Sequence, residues 1–364
     1  MSLRKSSIIW IVHVPAGPEG GGVALTSNAL MDIAKKNGIK FASIYSSNLD
    51  LSKSLLVWLK VCTSTFTSTF VLHSGLTPLN VLLITFSFKK TILLYTHGEL
   101  LEESLRLRSP KKRLVLALLR LIRVINPFRS RVIYVSTSGN RQEIESAKYF
   151  YQPDFVELLG SDIFTKDMLR KRAARHDYDS EVLNIISVGR MVPNKGFFRL
   201  VQDRKNSDFH SRFEKIIVNV FYAKEDEEEL ERVKFAVEEL ENSCECYQFI
   251  WREGLPQNQI QNHVDSMTNR LLIIPSYFES FCYALVENLN TDFRPIVYFH
   301  NHLVETLMAK DLCIFAQNKL PSIECVLTKK STHLANSERF LMSLAIESER
   351  RHLSLLHKYL GSKK

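Results

Sequence analysis

The sequence predicts an α/β protein of two domains, each built on a parallel sheet, and three observations carry that expectation. The chain has 364 residues, enough for two domains that each bury a core. Short runs of β-branched and leucine residues alternate with stretches whose apolar residues recur at helical spacing, the pattern of parallel sheets. Several of the apolar runs end in Gly, Ser or Pro turns that open into helices. In open α/β sheets such junctions face the crevice where ligands bind. With 45% hydrophobic and 24% charged residues the composition is that of a soluble protein, not a disordered one.

Residues 8–14 read as the first strand. Residues 1–7 enter it too abruptly for a secretory signal, and no apolar run reaches the length of a membrane span. The expectation is a cytoplasmic protein. Its six cysteines (Cys62, Cys244, Cys246, Cys282, Cys313, Cys325) lack zinc-site spacing, so reduced thiols are expected. A glycine turn, 16–22, follows the strand, and 23–37 has the period of a helix that stops at Asn37-Gly38. Gly20, Gly21 and Gly22 lack side chains, so the backbone there can approach a phosphate or sugar. The long dinucleotide fingerprint is missing, which argues against NAD. Further strands are expected at 41–45, 70–73 and 92–95, the last running into Thr96-His97-Gly98-Glu99. On the residues alone, His97 is an uncommitted imidazole at a strand edge. Residues 131–136 close the first domain as a strand, and 138–149 read as a helix.

The net charge of +9 is unevenly placed: residues 1–155 hold 20 Lys and Arg against 9 Asp and Glu. Residues 104–131 carry nine basic side chains, Arg123 among them, and no acidic one, with Leu114, Leu116, Leu118, Leu119, Leu121 and Ile122 interleaved. This is the pattern of a helix that lies against anionic lipid headgroups. Nucleic acid is the competing partner, but no stacking motif or nucleic-acid module accompanies the basic stretch. A solvated helix packed by its leucine face is the plain alternative.

The second half opens after a charged link, 166–181. Its Asp177 and Asp179 sit in polar surroundings before a strand and read as surface. The strand 183–188 leads into Gly189-Arg190-Met191-Val192-Pro193-Asn194-Lys195-Gly196. An arginine can fork onto two phosphate oxygens and a lysine adds a mobile point charge. A strand at 213–220 and an acidic helix at 225–242 follow, and residues 248–256, which contain Trp251, and 259–267 lead up to the next apolar run. The apolar run 270–274 then stops at Pro275-Ser276, Glu279 lies in the loop, and Ser280 onward reads as a helix with Glu287 two turns in. Two carboxylates so placed can hold the sugar and the ribose of a nucleotide sugar, about 12 Å apart along a helix. A strand at 294–299 and a helix at 337–359 complete the chain.

Pro275-Ser-Tyr-Phe-Glu279-Ser-Phe281-Cys282, with Glu287 eight residues beyond Glu279, resembles the signature of retaining glycosyltransferases of family 4. Gly189-Arg190 with Lys195-Gly196, the glycine turn, and the His97-Gly98 segment resemble that family in the same order. The resemblance implies the GT-B fold: two Rossmann-like doubly wound domains with a cleft between them. It places an acceptor-side domain at 1–160, a nucleotide-sugar-binding domain at 161–345 and a C-terminal helix, 346–364, crossing back to the first. It implies sugar transfer with retention, in the manner of lipopolysaccharide, O-antigen or capsule synthesis. The donor is a UDP- or GDP-linked sugar, and the acceptor a saccharide or a polyprenyl-diphosphate-linked one at the inner face of the cytoplasmic membrane. Residue by residue, it assigns Glu279 and His97 to the reacting sugar, and Arg190, Lys195, Gly21, Gly22, Phe281 and Cys282 to the diphosphate. Glu287 takes the ribose. No cofactor or metal is required, and no nucleic acid is expected. The sequence departs from the family at Cys282, where glycine is usual, at Leu159, where asparagine is, and at Asn288, where alanine is. A catalytically silent GT-B scaffold and a basic membrane-surface adaptor are the alternatives.

Overall fold

The computed structural model describes residues 8–360 apart from 13–20, 47–48, 64–68, 74–76, 88–89, 97–109, 128, 138–140, 166–180, 205–207, 280, 290, 318 and 328–329. The chain forms two compact units: Met1–Thr165 with Ala345–Lys364, and Lys166–Leu344.

The first unit alternates strand and helix throughout: β1 (Ile8–Val12), α1 (Gly21–Lys36), β2 (Ala42–Tyr45), α2 (Leu51–Cys62), β3 (Thr69–His73), α3 (Pro78–Phe86), β4 (Thr91–Thr96), α4 (Pro110–Ile125), β5 (Arg131–Ser136), α5 (Arg141–Tyr151) and β6 (Phe155–Leu158). Its sheet is six-stranded in the order β2-β1-β3-β4-β5-β6, with every neighbouring pair parallel. A parallel sheet covered on both faces needs strands that are apolar at every position, and β1 is buried along its whole length. Its odd residues Ile9 and Ile11 join a core with Phe70, Leu72, Ile92, Leu94, Val132 and Tyr134 under α2, α3, α4 and α5. Its even residues Ile8, Trp10 and Val12 join another with Val71, Leu93, Tyr95, Ile133 and Val135 under α1. Leu355 and Leu356 from near the C-terminus pack into this second core.

Helix starts follow their caps. The Asp50 carboxylate accepts from Lys53 N at 2.7 Å at the head of α2, and the Thr77 hydroxyl accepts from Asn80 N at the head of α3, whose first residue is Pro78. Arg123 departs from the expectation of a lipid-facing cation. It is fully buried and donates to the Ile84, Ser130 and Gln152 carbonyls, which ties α3 to the β5 entry. Burial pulls its pKa down to about 10. The sixth strand, β6, is a second departure, since the sequence suggested that β5 closed the sheet. It is a short edge strand with two exposed residues in four, so no apolar run announces it.

The second unit begins with β7 (Val182–Met191), a 3-10 turn at Pro193–Lys195, α6 (Phe197–Arg204), β8 (Lys215–Lys224), α7 (Glu227–Ser243), β9 (Tyr247–Glu253) and α8 (Gln257–Ser266). It continues through β10 (Arg270–Ile274), α9 (Tyr283–Glu287), β11 (Ile296–Val297), α10 (His302–Ala309), β12 (Ile314–Phe315) and α11 (Ile323–Leu327). The last helix, α12 (Lys330–Leu360), has residues in both units. The sheet order is β12-β11-β10-β7-β8-β9, all parallel. One face packs Leu183, Ile185, Ile216, Val218, Leu271 and Ile273 against α6, α7 and α11. A buried fork fixes the start of β10: Arg270 Nε and Nη2 each donate to Asp292 at 3.0 Å, both side chains being almost fully covered.

Candidate functional site

In the second sheet, β7 and β10 are neighbours, yet the chain leaves β7 toward β8 on one side and leaves β10 toward β11 on the other. The crevice outside the carboxyl ends of two such strands is where doubly wound sheets bind ligands. The two segments singled out in the sequence both leave from there.

The first segment turns sharply. Lys195 N donates to the Val192 carbonyl at 3.0 Å, and Gly196 lies at φ 69°, in the left-handed region. A Cβ on Gly196 would come within 2.1 Å of the Pro275 carbonyl oxygen, so only glycine lets the two loops touch. Tyr277 N donates to the Asn194 carbonyl at 2.9 Å, a second link between them. The effect is to set Lys195 against Glu279. Lys195 Nζ lies 2.8 Å from Glu279 Oε1, with side chains 10% and 12% exposed. The Ser276 hydroxyl donates to the same oxygen at 2.7 Å. Asn301 Nδ2 holds the Glu279 carbonyl at 3.1 Å while its Oδ1 caps α10 through Val304 N. Arg199 on α6 lies over the rings of Tyr298 and Tyr277, 4.3 and 5.4 Å from their centroids. Its Nη2 donates to the Gln317 carbonyl at 2.7 Å.

Arg190, at the end of β7, is held elsewhere: its Nη1 donates to both carboxylate oxygens of Glu225, at 3.2 and 3.0 Å. Both partners are substantially exposed. An ion pair of that kind contributes about 0–1 kcal/mol, so Glu225 by itself fixes Arg190 only weakly.

Glu287 ends α9 and accepts from Gln257 Nε2 at the start of α8. The sequence suggested a helix from Ser280 with Glu287 two turns inside it. The helix has only five residues and begins after Cys282, whose φ of 67° and ψ of 76° break helical geometry. So short a helix carries little macrodipole, and cationic side chains must supply most of any phosphate field. Burial first, and the Glu279 carboxylate next, push the Cys282 thiol well above its ordinary pKa. Phe281 is buried edge-on against Tyr283.

Gly21 and Gly22 are the first two residues of α1. His97, Gly20, Asp177 and Asp179 lie outside the described residues. Near Trp251, Arg252 Nη1 donates to Asn219 Oδ1 at 2.7 Å, and its guanidinium lies over Phe221. The Tyr222 hydroxyl donates to Glu253 at 3.0 Å. Trp251 packs against the core. Among the described residues no group of three or more His, Cys, Asp or Glu is placed to hold a metal ion.

Sequence reasoning missed Glu225, Gln257, Arg199 and Asn301. Only Asn301 left a trace, as a cap-type residue before an apolar run.

No protein-family profile matches the chain, and no curated protein does. Solved structures do. The sucrose-phosphate synthase of Thermosynechococcus elongatus superimposes with a TM-score of 0.57 at 12% identity, over 98% of this chain and 96% of that one. A trehalose-6-phosphate synthase gives 0.66 at 10% identity, over 99% and 100%. This is the GT-B fold. A third GT-B structure, described as trehalose-6-phosphate from E. coli bound with UDP-2-fluoro glucose, gives 0.60 at 11% identity, over 98% and 100%. On the GT-B frame, β7 and β10 each send one of the two contacting loops out from the switch point of the second unit's sheet.

Proposed function

We propose that the chain is a retaining glycosyltransferase that moves a sugar from a UDP- or GDP-linked donor to a saccharide or lipid-linked acceptor, in surface-polysaccharide synthesis. The observation that carries this reading is the covered Lys195–Glu279 pair at the β7/β10 switch point, with Arg190 on the same strand end. The departing group is a nucleoside diphosphate, so the task is to stabilise developing negative charge at fixed positions. Lys195 and Arg190 meet the diphosphate, the lysine as a point charge and the arginine through its fork. Glu279 Oε2 accepts from a donor-sugar hydroxyl, while Lys195 and Ser276 fix the other oxygen. Glu287 accepts from the ribose hydroxyls, steadied by Gln257. Backbone amides at Phe281 and Cys282 add to the phosphate contacts, and the family resemblance assigns Gly21 and Gly22 to the diphosphate too. The family resemblance assigns His97 to the reacting sugar as well. The UDP-2-fluoro glucose of one similar structure supports a donor of this class.

The acceptor side of the proposal rests on α2 and α4. Leu51, Leu55, Leu56 and Leu59 on α2, and Leu114, Leu118, Leu121, Val124 and Ile125 on α4, are between 43% and 68% exposed. Both helices are free of acidic residues, and α3 packs against each of them. Such a surface suits an anionic membrane face, which would bring a polyprenyl-linked acceptor to the enzyme. No helix among the described residues is long and apolar enough to cross a membrane.

The test offers UDP- and GDP-sugars with a mixed saccharide and lipid-linked acceptor fraction. The proposal expects acceptor-dependent release of one nucleoside diphosphate and a product whose anomeric configuration matches the donor. An inverted product would overturn retention, and no release with any donor would overturn the transferase reading.

A further inference from the structure

The junction between α7 and β9 carries two thiols that the proposed transfer does not use. Cys244 ends α7 in extended geometry, its N–H on the Leu240 carbonyl. Tyr247 N donates to the Cys244 carbonyl at 3.2 Å, closing a tight turn, and Ile216 N donates to the Cys246 carbonyl at 2.7 Å, which anchors that turn to β8. Phe249 N donates to Glu241 Oε1 at 2.7 Å and braces the turn again. The backbone on either side of Glu245 is therefore fixed, and it aims both side chains the same way. The two Sγ atoms lie 2.7 Å apart, and both residues are partly exposed. That separation is short of ordinary non-bonded sulfur contact and not far beyond the bond of about 2.0 Å. Of the other four cysteines, Cys62, Cys282 and Cys313 are buried and Cys325 is exposed.

We propose that Cys244 and Cys246 form a site of reversible oxidation by low-molecular-weight disulfides. One cysteine of the pair, as thiolate, attacks one sulfur of oxidised glutathione and releases one glutathione thiolate, leaving a mixed disulfide on that cysteine. The other gives up its proton and attacks the protein sulfur of that mixed disulfide, and the second glutathione leaves as thiolate. The balance is two protein thiols and one oxidised glutathione going to one protein disulfide and two reduced glutathiones. Burial first, and the neighbouring thiol next, push the Cys246 thiol above its ordinary range, and the short distance between the sulfurs lets either thiol close the link once its neighbour carries the adduct. The ring closed spans one intervening residue, so it removes little freedom from the unfolded chain. Its effect is a covalent lock between the end of α7 and the start of β9. The pair sits at the amino end of β9, and Arg190 at the carboxyl end of the parallel strand β7. Oxidation is thus expected to leave nucleotide binding unchanged, and the site stands or falls apart from the proposed activity.

The experiment equilibrates the full chain with reduced and oxidised glutathione at stepped ratios, then alkylates the remaining thiols under denaturing conditions for intact-mass and peptide mapping. In wild type two of the six thiols should disappear together, with an internal link in the 244–246 peptide that dithiothreitol reverses. Cys246→Ser should stop at one glutathione on Cys244, Cys244→Ser at one on Cys246, and neither should form the link. Six alkylatable thiols at the most oxidising ratio would overturn the proposal. So would a single adduct at Cys325, or the paired loss of two thiols from among the four that remain in the Cys244→Ser, Cys246→Ser double variant.

Discussion

At Lys195 a cation sits with a tenth of its side-chain surface exposed, and Glu279 meets it at 2.8 Å. Removing one member of so covered a pair leaves the other desolvated and uncompensated, which costs about 3–5 kcal/mol when burial is complete. Lys195→Met alone should therefore lower stability by about 2 kcal/mol or more, and adding Glu279→Gln should recover most of that loss. If both residues also handle the donor, the double variant stays inactive although it folds. Denaturant unfolding and donor turnover, measured on both single variants and the double, separate the two roles. A double variant that regains turnover within about threefold of wild type, under 1 kcal/mol in barrier, would leave the pair structural only. The sequence showed Lys195 and Glu279 as parts of two segments 84 residues apart. Their meeting depends on Gly196 clearing the Pro275 carbonyl, a contact no local pattern encodes. Arg190 was legible as a strand-end cation, but Glu225, which holds it, was not.

At the scale of elements, legibility followed length and burial. The runs at β1, β3, β4, β5, β7 and β10 are apolar almost throughout and announce themselves. The short edge strand β6 and the two-residue strand β12 do not, because so few residues show no period, while the strand expected at 294–299 forms only as the two residues of β11. The five-residue α9 was expected longer, because apolar spacing continues through Phe281 and Cys282 while the left-handed Cys282 backbone interrupts the helix. The end of α12 gives a pH-dependent test. Against the burial that would raise it, hydrogen bonds from Lys358 and Tyr359 hold the Glu157 carboxyl on β6 below its ordinary pKa. A carboxyl lowered in the folded state adds stability that is fully present above its unfolded value, about 4.3, and is lost as pH falls through the folded value. Glu157→Gln should therefore melt below wild type at pH 7, with the gap closing under about pH 4. A gap that is constant with pH would assign the effect to packing alone.

For the whole molecule, the alternation of apolar runs with helical stretches placed the chain in the α/β class, and the family resemblance of its motifs pointed to GT-B, the fold that the superpositions show. The charge asymmetry was legible, but its distribution was not: Arg123 is interior, and α2 contributes exposed leucines that no charge pattern marked. The proposed membrane face predicts that the chain sediments with anionic vesicles at low ionic strength and is released by salt. Leu118→Glu with Leu121→Glu should weaken that binding at least tenfold without lowering the melting temperature, since both residues are exposed. Equal binding to neutral vesicles, or binding unaffected by the double variant, would remove the surface from the account.

The central claim is that the β7/β10 switch point holds a nucleoside diphosphate, and thermal unfolding in the presence of UDP, GDP, CDP or ADP tests it most directly. A ligand at a hundred times its dissociation constant stabilises the folded state by about 2.7 kcal/mol. The account predicts that one nucleotide raises the wild-type melting temperature, and that Glu287→Ala and Lys195→Met abolish the rise. A wild-type chain that none of the four nucleotides stabilises, or an undiminished rise in both variants, would contradict it.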